Sequence, residues 1–174
     1  MGVDIAALVR DFPDYPKPGV LFKDITPLLA SGDGFRAAID RLVALAPDDV
    51  DHVVGIEARG FIFAAPVALA LGAGFVPVRK PGKLPGELFE ESYDLEYGQE
   101  TLTMRTDAIR PGSRVLIVDD VLATGGTVAA TSALLGQAGA SLAQVAVVVE
   151  LTALPGRERL AASGIDQLSS LLQV

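Results

Sequence analysis

The run Val115-Leu116-Ile117-Val118-Asp119-Asp120-Val121-Leu122-Ala123-Thr124-Gly125-Gly126-Thr127 constrains this chain more than any other stretch. Four aliphatic residues in a row read as a strand covered on both faces, as in a parallel sheet. They stop at two carboxylates. A short apolar step leads to Thr124-Gly125-Gly126-Thr127 and then to a helix-prone segment, Val128-Ala129-Ala130-Thr131-Ser132-Ala133-Leu134-Leu135. Two glycines let the backbone turn tightly and come close to a ligand. The following helix aims its free N–H groups and the positive end of its dipole into that turn, which suits an anion. Thr124 and Thr127 add hydroxyl donors. The turn has neither the Gly-Lys-Ser/Thr of a P-loop nor the dinucleotide G-x-G-x-x-G spacing. A tight turn that needs glycine only for its backbone angles is the plainer reading. The preceding Asp-Asp and the flanking threonines favour a phosphate cradle.

The rest of the chain repeats the strand-then-helix step. A short amphipathic helix is expected over residues 3–10, and a helix over 34–46 buries Phe35, Ile39, Leu42 and Val43. Strands are expected at 52–56 and 74–78, with a helix between them ending at Leu71. Residues 101–105 alternate as a half-exposed strand, residues 144–151 form another buried strand, and a short helix at 157–162 precedes a last strand near 169–174. Such alternation predicts an α/β fold with a central, mainly parallel sheet flanked by helices. Ligands of these sheets sit beyond the carboxyl ends of the strands. Three expected strands end in polar sequence there: Glu57-Ala58-Arg59, Arg79-Lys80 and Asp119-Asp120. Residues 11–27 hold too many prolines for a helix interior and too many aromatics for a linker, so an ordered irregular segment is expected. Residues 81–100, broken by Pro81, Gly82, Pro85, Gly86 and Gly98, form a long connection of the functional or mobile kind.

A length of 174 residues suits one domain with a substantial core. There are no cysteines, hence no disulfides or thiolate metal sites, in keeping with a reducing compartment. No signal peptide or membrane span is visible. The formal charge of −8 argues against a general nucleic-acid surface.

On an acidic chain, basic residues at strand ends call for an explanation. Arg59, Arg79, Lys80 and Lys83 are either solvated side chains or a second anion subsite, for which arginine's bidentate fork is suited. Asp119 and Asp120 read as solvated carboxylates, metal ligands or acceptors for a sugar diol. Adjacent strand residues point in different directions, which favours separate hydrogen bonds over a joint metal clamp. Two separated anion subsites imply a substrate phosphorylated at two places. Glu96 and Tyr97 are either solvated loop residues or part of a lid that excludes water. His52, the single histidine, reads as structural or exposed.

Residues 115–127 resemble the phosphoribosyl-diphosphate motif of the type I phosphoribosyltransferases. The resemblance covers essentially the whole chain. Asp11-Phe12-Pro13, the segment from Pro18 to Leu29, Gly55-Ile56-Glu57-Ala58-Arg59-Gly60-Phe61, residues 78–86, Ser92-Tyr93-Asp94-Leu95-Glu96-Tyr97-Gly98 and Glu150-Leu151-Thr152 are together similar to the adenine branch of that family. The resemblance implies a type I phosphoribosyltransferase fold across residues 1–174, with a small hood from about 11–29 and 151–174 and a mobile loop at about 81–100. It implies transfer of 5-phosphoribosyl from phosphoribosyl diphosphate to adenine, giving AMP and diphosphate, in purine salvage. Ala123, Thr124, Gly125, Gly126 and Thr127 would hold the 5-phosphate, and Asp119 and Asp120 the ribose hydroxyls. Ala58, Arg59, Arg79, Lys80 and Lys83 would hold diphosphate. The base would meet Val20, Leu21, Phe22, the Arg59 backbone and Leu151. Glu96 would manage the purine proton and Tyr97 would help close the lid. Magnesium (Mg2+) would be carried mainly by the diphosphate substrate, with no protein metal ligand assigned. A cytoplasmic homodimer, bound to neither nucleic acid nor membrane, is implied as well.

Three other readings compete, the blandest of them a structural α/β domain with a vestigial site, against which the intact lid and basic loop count. A 6-oxopurine phosphoribosyltransferase would want a lysine donor after Glu150, where this chain has Leu151-Thr152-Ala153-Leu154. A phosphoribosyl-diphosphate-sensing regulator that binds nucleic acid would want a basic exterior.

Overall fold

A computed structural model of the chain describes residues 2–95 and 98–174. The backbone packs as two compact units, Met1–Arg41 and Leu42–Val174.

In the first unit the helix expected over residues 3–10 is only a 3-10 turn, Ala6–Leu8, entered through an Asp4 side chain that accepts the Ala6 N–H. The chain then extends, because Pro13 disfavours helical geometry in the residue before it. Strand β1 (Arg10–Pro13) pairs antiparallel with β2 (Leu21–Asp24), setting Phe12 opposite Phe22. The expected irregular stretch is thus a two-stranded hairpin, pinned by Tyr15 edge-on to Phe22 and by a 2.8 Å Lys23–Asp11 ion pair. Helix α1 (Thr26–Ala30) follows with Pro27 in its first turn, where the missing N–H costs nothing. Helix α2 (Gly32–Leu45) closes this unit and leads into the next.

The second unit holds a five-stranded parallel sheet in the order β4-β3-β7-β8-β9. Its strands are β3 (His52–Ile56), β4 (Gly74–Val78), β7 (Arg114–Leu122), β8 (Ser141–Glu150) and β9 (Leu168–Gln173). Helices α3 (Gly60–Leu71), α4 (Gly126–Gln137) and α5 (Gly156–Ala162) connect them. Val115, Leu116, Ile117 and Val118 are fully buried, as an uninterrupted apolar run in a central strand requires. The central strand does not stop at its carboxylates. It continues to Leu122 because β8 offers a partner all the way, with Asp119 beside Val147 and Leu122 beside Glu150.

Residues 151–174 supply the expected short helix, α5, and the expected last strand, β9, whose alternate residues pair with Val145, Val147 and Val149 of the sheet. The connection at 81–100 is not irregular throughout. Its second half forms β5 (Leu88–Asp94), antiparallel to β6 (Gln99–Arg105), and a bridge between Arg79 and Thr103 ties that hairpin to the end of β4. Phe89 and Tyr93 face the core and Glu90 and Asp94 face water, an alternation masked by the prolines and glycines before it. Among the described residues no helix is long and apolar enough to cross a membrane.

Candidate active site

Parallel strands deliver their carboxyl ends to one edge of the sheet, and there the second unit opens a cleft of about 340 Å³. One wall is the turn from β3 into α3, with Glu57, Ala58 and Arg59. The other is the end of β7 and the turn beyond it. Ala58, Arg59, Asp119, Asp120, Ala123, Thr124, Gly125 and Thr127, all named from the sequence, line this one cleft.

Asp119 and Asp120 are both buried, at 7% and 5% exposure. Asp119 Oδ1 accepts the Asp120 N–H at 2.9 Å. Burial, reinforced by the charge of Asp120, pushes the Asp119 carboxyl well above the usual carboxylate range. The strand can hold Asp119 here because its neighbour on α3 is glycine: a Cβ at Gly60 would stand 2.7 Å from Oδ1. Asp120 Oδ2 lies 2.9 Å from Arg59 Nε. The pair is close but poorly aimed, since Oδ2 receives no well-directed hydrogen bond from the described residues. Their attraction is therefore mainly Coulombic.

The glycine turn is built as the sequence implies. Gly125 takes φ +79°, a left-handed conformation that side-chain-bearing residues avoid, and precedes the first turn of α4. A Cβ on Gly126 would collide with the Tyr93 ring at 2.7 Å, and one on Gly125 would fall 2.9 Å from the Gly156 carbonyl oxygen. The N–H groups at the start of α4 are thus presented in a turn too tight for side chains.

The basic residues divide. Arg59 lines the cleft, whereas Arg79, Lys80 and Lys83 are outside its lining. Glu57 joins the two groups. It accepts Arg79 Nη2 at 3.1 Å and the Lys80 N–H at 2.7 Å. Burial pushes Glu57 up, but the Lys80 N–H and the Arg79 guanidinium outweigh it and hold the carboxyl below its ordinary value. Arg79 also donates to the Lys83 carbonyl at 3.4 Å and lies over the Phe61 ring, while its buried Nε has no partner among the described residues. Lys83 itself is exposed.

Leu151 follows β8 and gives its N–H to the Leu122 carbonyl at 3.0 Å. Val20, Leu21 and Phe22 belong to the first unit, the last two on β2. Glu96 and Tyr97 lie outside the described residues. His52 is half-buried at the start of β3, with Nδ1 unpartnered among the described residues.

Sequence reading missed three groups. Glu57 was visible only as part of a motif, and its role comes from residues 22 and 23 positions away. Tyr93 and Glu100 line the cleft, and the Tyr93 hydroxyl donates to Glu100 Oε2 at 2.7 Å. Burial and that carboxylate push the Tyr93 hydroxyl up, while the same hydrogen bond holds Glu100 down; Lys80 Nζ stands 3.4 Å from Glu100. Glu150 and Arg157 form the third group, behind the glycine turn. The alternation of β5 was the signal for Tyr93; no local signal marks the others.

A glycine-rich turn at a helix N-terminus, two carboxylates and a basic flank stand at the carboxyl edge of the parallel sheet. The phosphoribosyl transferase domain model matches residues 23–167, and the chain belongs to that family, with the type I fold. Within it the similarity is to adenine phosphoribosyltransferases. The chain is 62% identical over 170 residues to that of Cutibacterium acnes, covering 98% of this chain and 96% of the relative. The crystal structure of adenine phosphoribosyltransferase from Rhodothermus marinus superposes with a TM-score of 0.91 at 48% identity, covering 98% of this chain and 96% of that one. The Saccharomyces cerevisiae enzyme, complexed with an imino-altritol bisphosphate and adenine, gives 0.90 at 41% identity over 97% and 96% of the two chains.

Proposed function

We propose that this chain is a purine-salvage pentosyltransferase that moves 5-phosphoribosyl from phosphoribosyl diphosphate to adenine, releasing AMP and diphosphate. One observation carries the site assignment: two buried carboxylates and a glycine turn at a helix N-terminus share a single cleft. The turn at residues 123–127 takes the 5-phosphate through N–H groups and the Thr124 and Thr127 hydroxyls. Asp119 and Asp120 accept from the ribose hydroxyls. The anomeric carbon loses its bond to a diphosphate oxygen and gains one to a purine nitrogen, with oxocarbenium character between. Ala58 and Arg59, with Arg79, Lys80 and Lys83, receive the negative charge that grows on the leaving diphosphate. Glu96 takes the purine proton and Tyr97 helps exclude water, without which the sugar would be hydrolysed.

Among the described residues no group of three His, Cys, Asp or Glu could hold a metal ion. On the resemblance, magnesium would be carried mainly by the diphosphate oxygens and would neutralise phosphate charge there. Val20, Leu21, Phe22 and Leu151 keep the base-contacting roles that the resemblance gives them. The protein works as a cytoplasmic homodimer that binds neither nucleic acid nor membrane.

The deciding experiment is a base panel with phosphoribosyl diphosphate and magnesium. AMP should form from adenine, with little product from hypoxanthine or guanine. Comparable turnover of a 6-oxopurine would sink the assignment. Glu96→Gln should lower kcat more than it raises KM; the opposite split would make Glu96 a binding residue only.

A further inference from the structure

Behind the glycine turn lies a charged cluster that the reaction does not touch. Glu150, at the end of β8, has a side chain only 5% exposed, yet it is fully satisfied. Arg157 grips it through Nε at 2.7 Å and Nη2 at 2.6 Å, Ser170 Oγ donates at 2.7 Å, and Gln173 Nε2 at 3.2 Å. A two-pronged guanidinium–carboxylate contact fixes orientation as well as distance. What it orients is the start of α5. Gly156, the residue before Arg157, is packed so closely on the Ala123 carbonyl that a Cβ there would collide with it, and its own carbonyl and Leu160 back the left-handed Gly125.

We propose that Arg157, through its ion pair with Glu150, is a positioning residue for phosphoribosyl diphosphate, holding α5 as the buttress that fixes the turn at residues 123–125. Gly156 packs on Ala123 and Leu122, so the clamp acts first on the turn at residues 123–125, the phosphate side of the site. This inference rests on the phosphate-cradle reading of that turn.

The test is calorimetric binding of phosphoribosyl diphosphate with magnesium to the full chain, alongside steady-state kinetics. Arg157→Ala should weaken that binding and raise its KM about tenfold while leaving the adenine KM and kcat within about twofold. Arg157→Lys, which keeps the charge but not the fork, should fall between. If Arg157→Ala does not fold, Glu150→Gln serves, being the same shape without the charge. Equal rises in both KM values, or a lower Tm with unchanged binding, would overturn the proposal. The double variant Thr124→Ala/Thr127→Val separates the two levels. If it weakens phosphoribosyl diphosphate and the clamp variants do not, the clamp alone is wrong. If it too has no effect, the cradle reading falls and takes the clamp with it.

Discussion

Arg59 Nε stands 2.9 Å from Asp120 Oδ2, joining the turn after β3 to the end of β7 across the cleft floor. The contact is mainly Coulombic, so the carboxylate keeps capacity to accept hydrogen bonds. On the proposed reading a sugar diol uses Asp120 and Arg59 meets the anion.

If that is the use of the pair, Asp120→Asn weakens phosphoribosyl diphosphate by about tenfold, or about 1.4 kcal/mol. Adding Asp119→Asn weakens it further. Titration calorimetry measures both. An unchanged affinity in the double variant would remove the carboxylates from sugar binding.

Asp119 bears on stability in the opposite sense. Burial and the neighbouring Asp120 charge raise its pKa in the folded chain. The native state thus favours the protonated form, and stability falls as pH rises above the ordinary carboxylate value. Asp119→Asn removes that dependence and should raise the Tm of the ligand-free protein at neutral pH, by about 2–4 °C for each kcal/mol released. A lower Tm would mean that the carboxylate is stabilising where it stands.

Glu150 behaves conversely. The Arg157 guanidinium, against the opposing effect of burial, brings its pKa down to about 2 from 4.5. Its stabilisation is complete above about pH 4.5 and drains away as pH falls toward 2. Urea midpoints collected across that window should drop steeply for the parent chain and less steeply for Glu150→Gln. Parallel curves would show that other carboxylates govern acid unfolding.

Glu57, on the cleft wall, organises the basic flank by accepting from both Arg79 and Lys80. Glu57→Ala leaves the Arg79 guanidinium and the Lys80 N–H without their shared acceptor. Product inhibition by diphosphate should weaken about five- to tenfold, with the adenine KM unmoved. If inhibition is unaffected, Arg79 and Lys80 do not need Glu57 to meet the anion.

How far the sequence carried depends on the range of each interaction. The apolar run at 115–118 and the glycines at 125 and 126 are local signals, and strand, turn and helix appear where they imply. The gathering of Arg59 with Asp119 and Asp120 was legible too, because parallel strands must end at a common edge. Glu57 with Arg79 was not, nor Tyr93 with Glu100, nor Glu150 with Arg157. Each couples charges or hydroxyls through tertiary packing that no periodicity encodes. The hairpin of β5 and β6 was hidden for another reason: Pro81, Gly82, Pro85 and Gly86 announce a loop, and the alternation that starts at Leu88 is weak beside them. The edge strand β9 was legible as a strand, but not its partner, since a short apolar stretch does not say which neighbour it will pair with.

The five strands of the parallel sheet all run the same way, so their opposite ends are also collected at one edge. There the turns at residues 48–50 and 110–112 are mostly exposed and stand a full strand length from the cleft. The molecule has a working end and a handling end. With no cysteine anywhere in the chain, a single thiol introduced at Asp48 or Arg110 would take a surface tether or a fluorophore at one chosen point and leave the cleft open to its substrates.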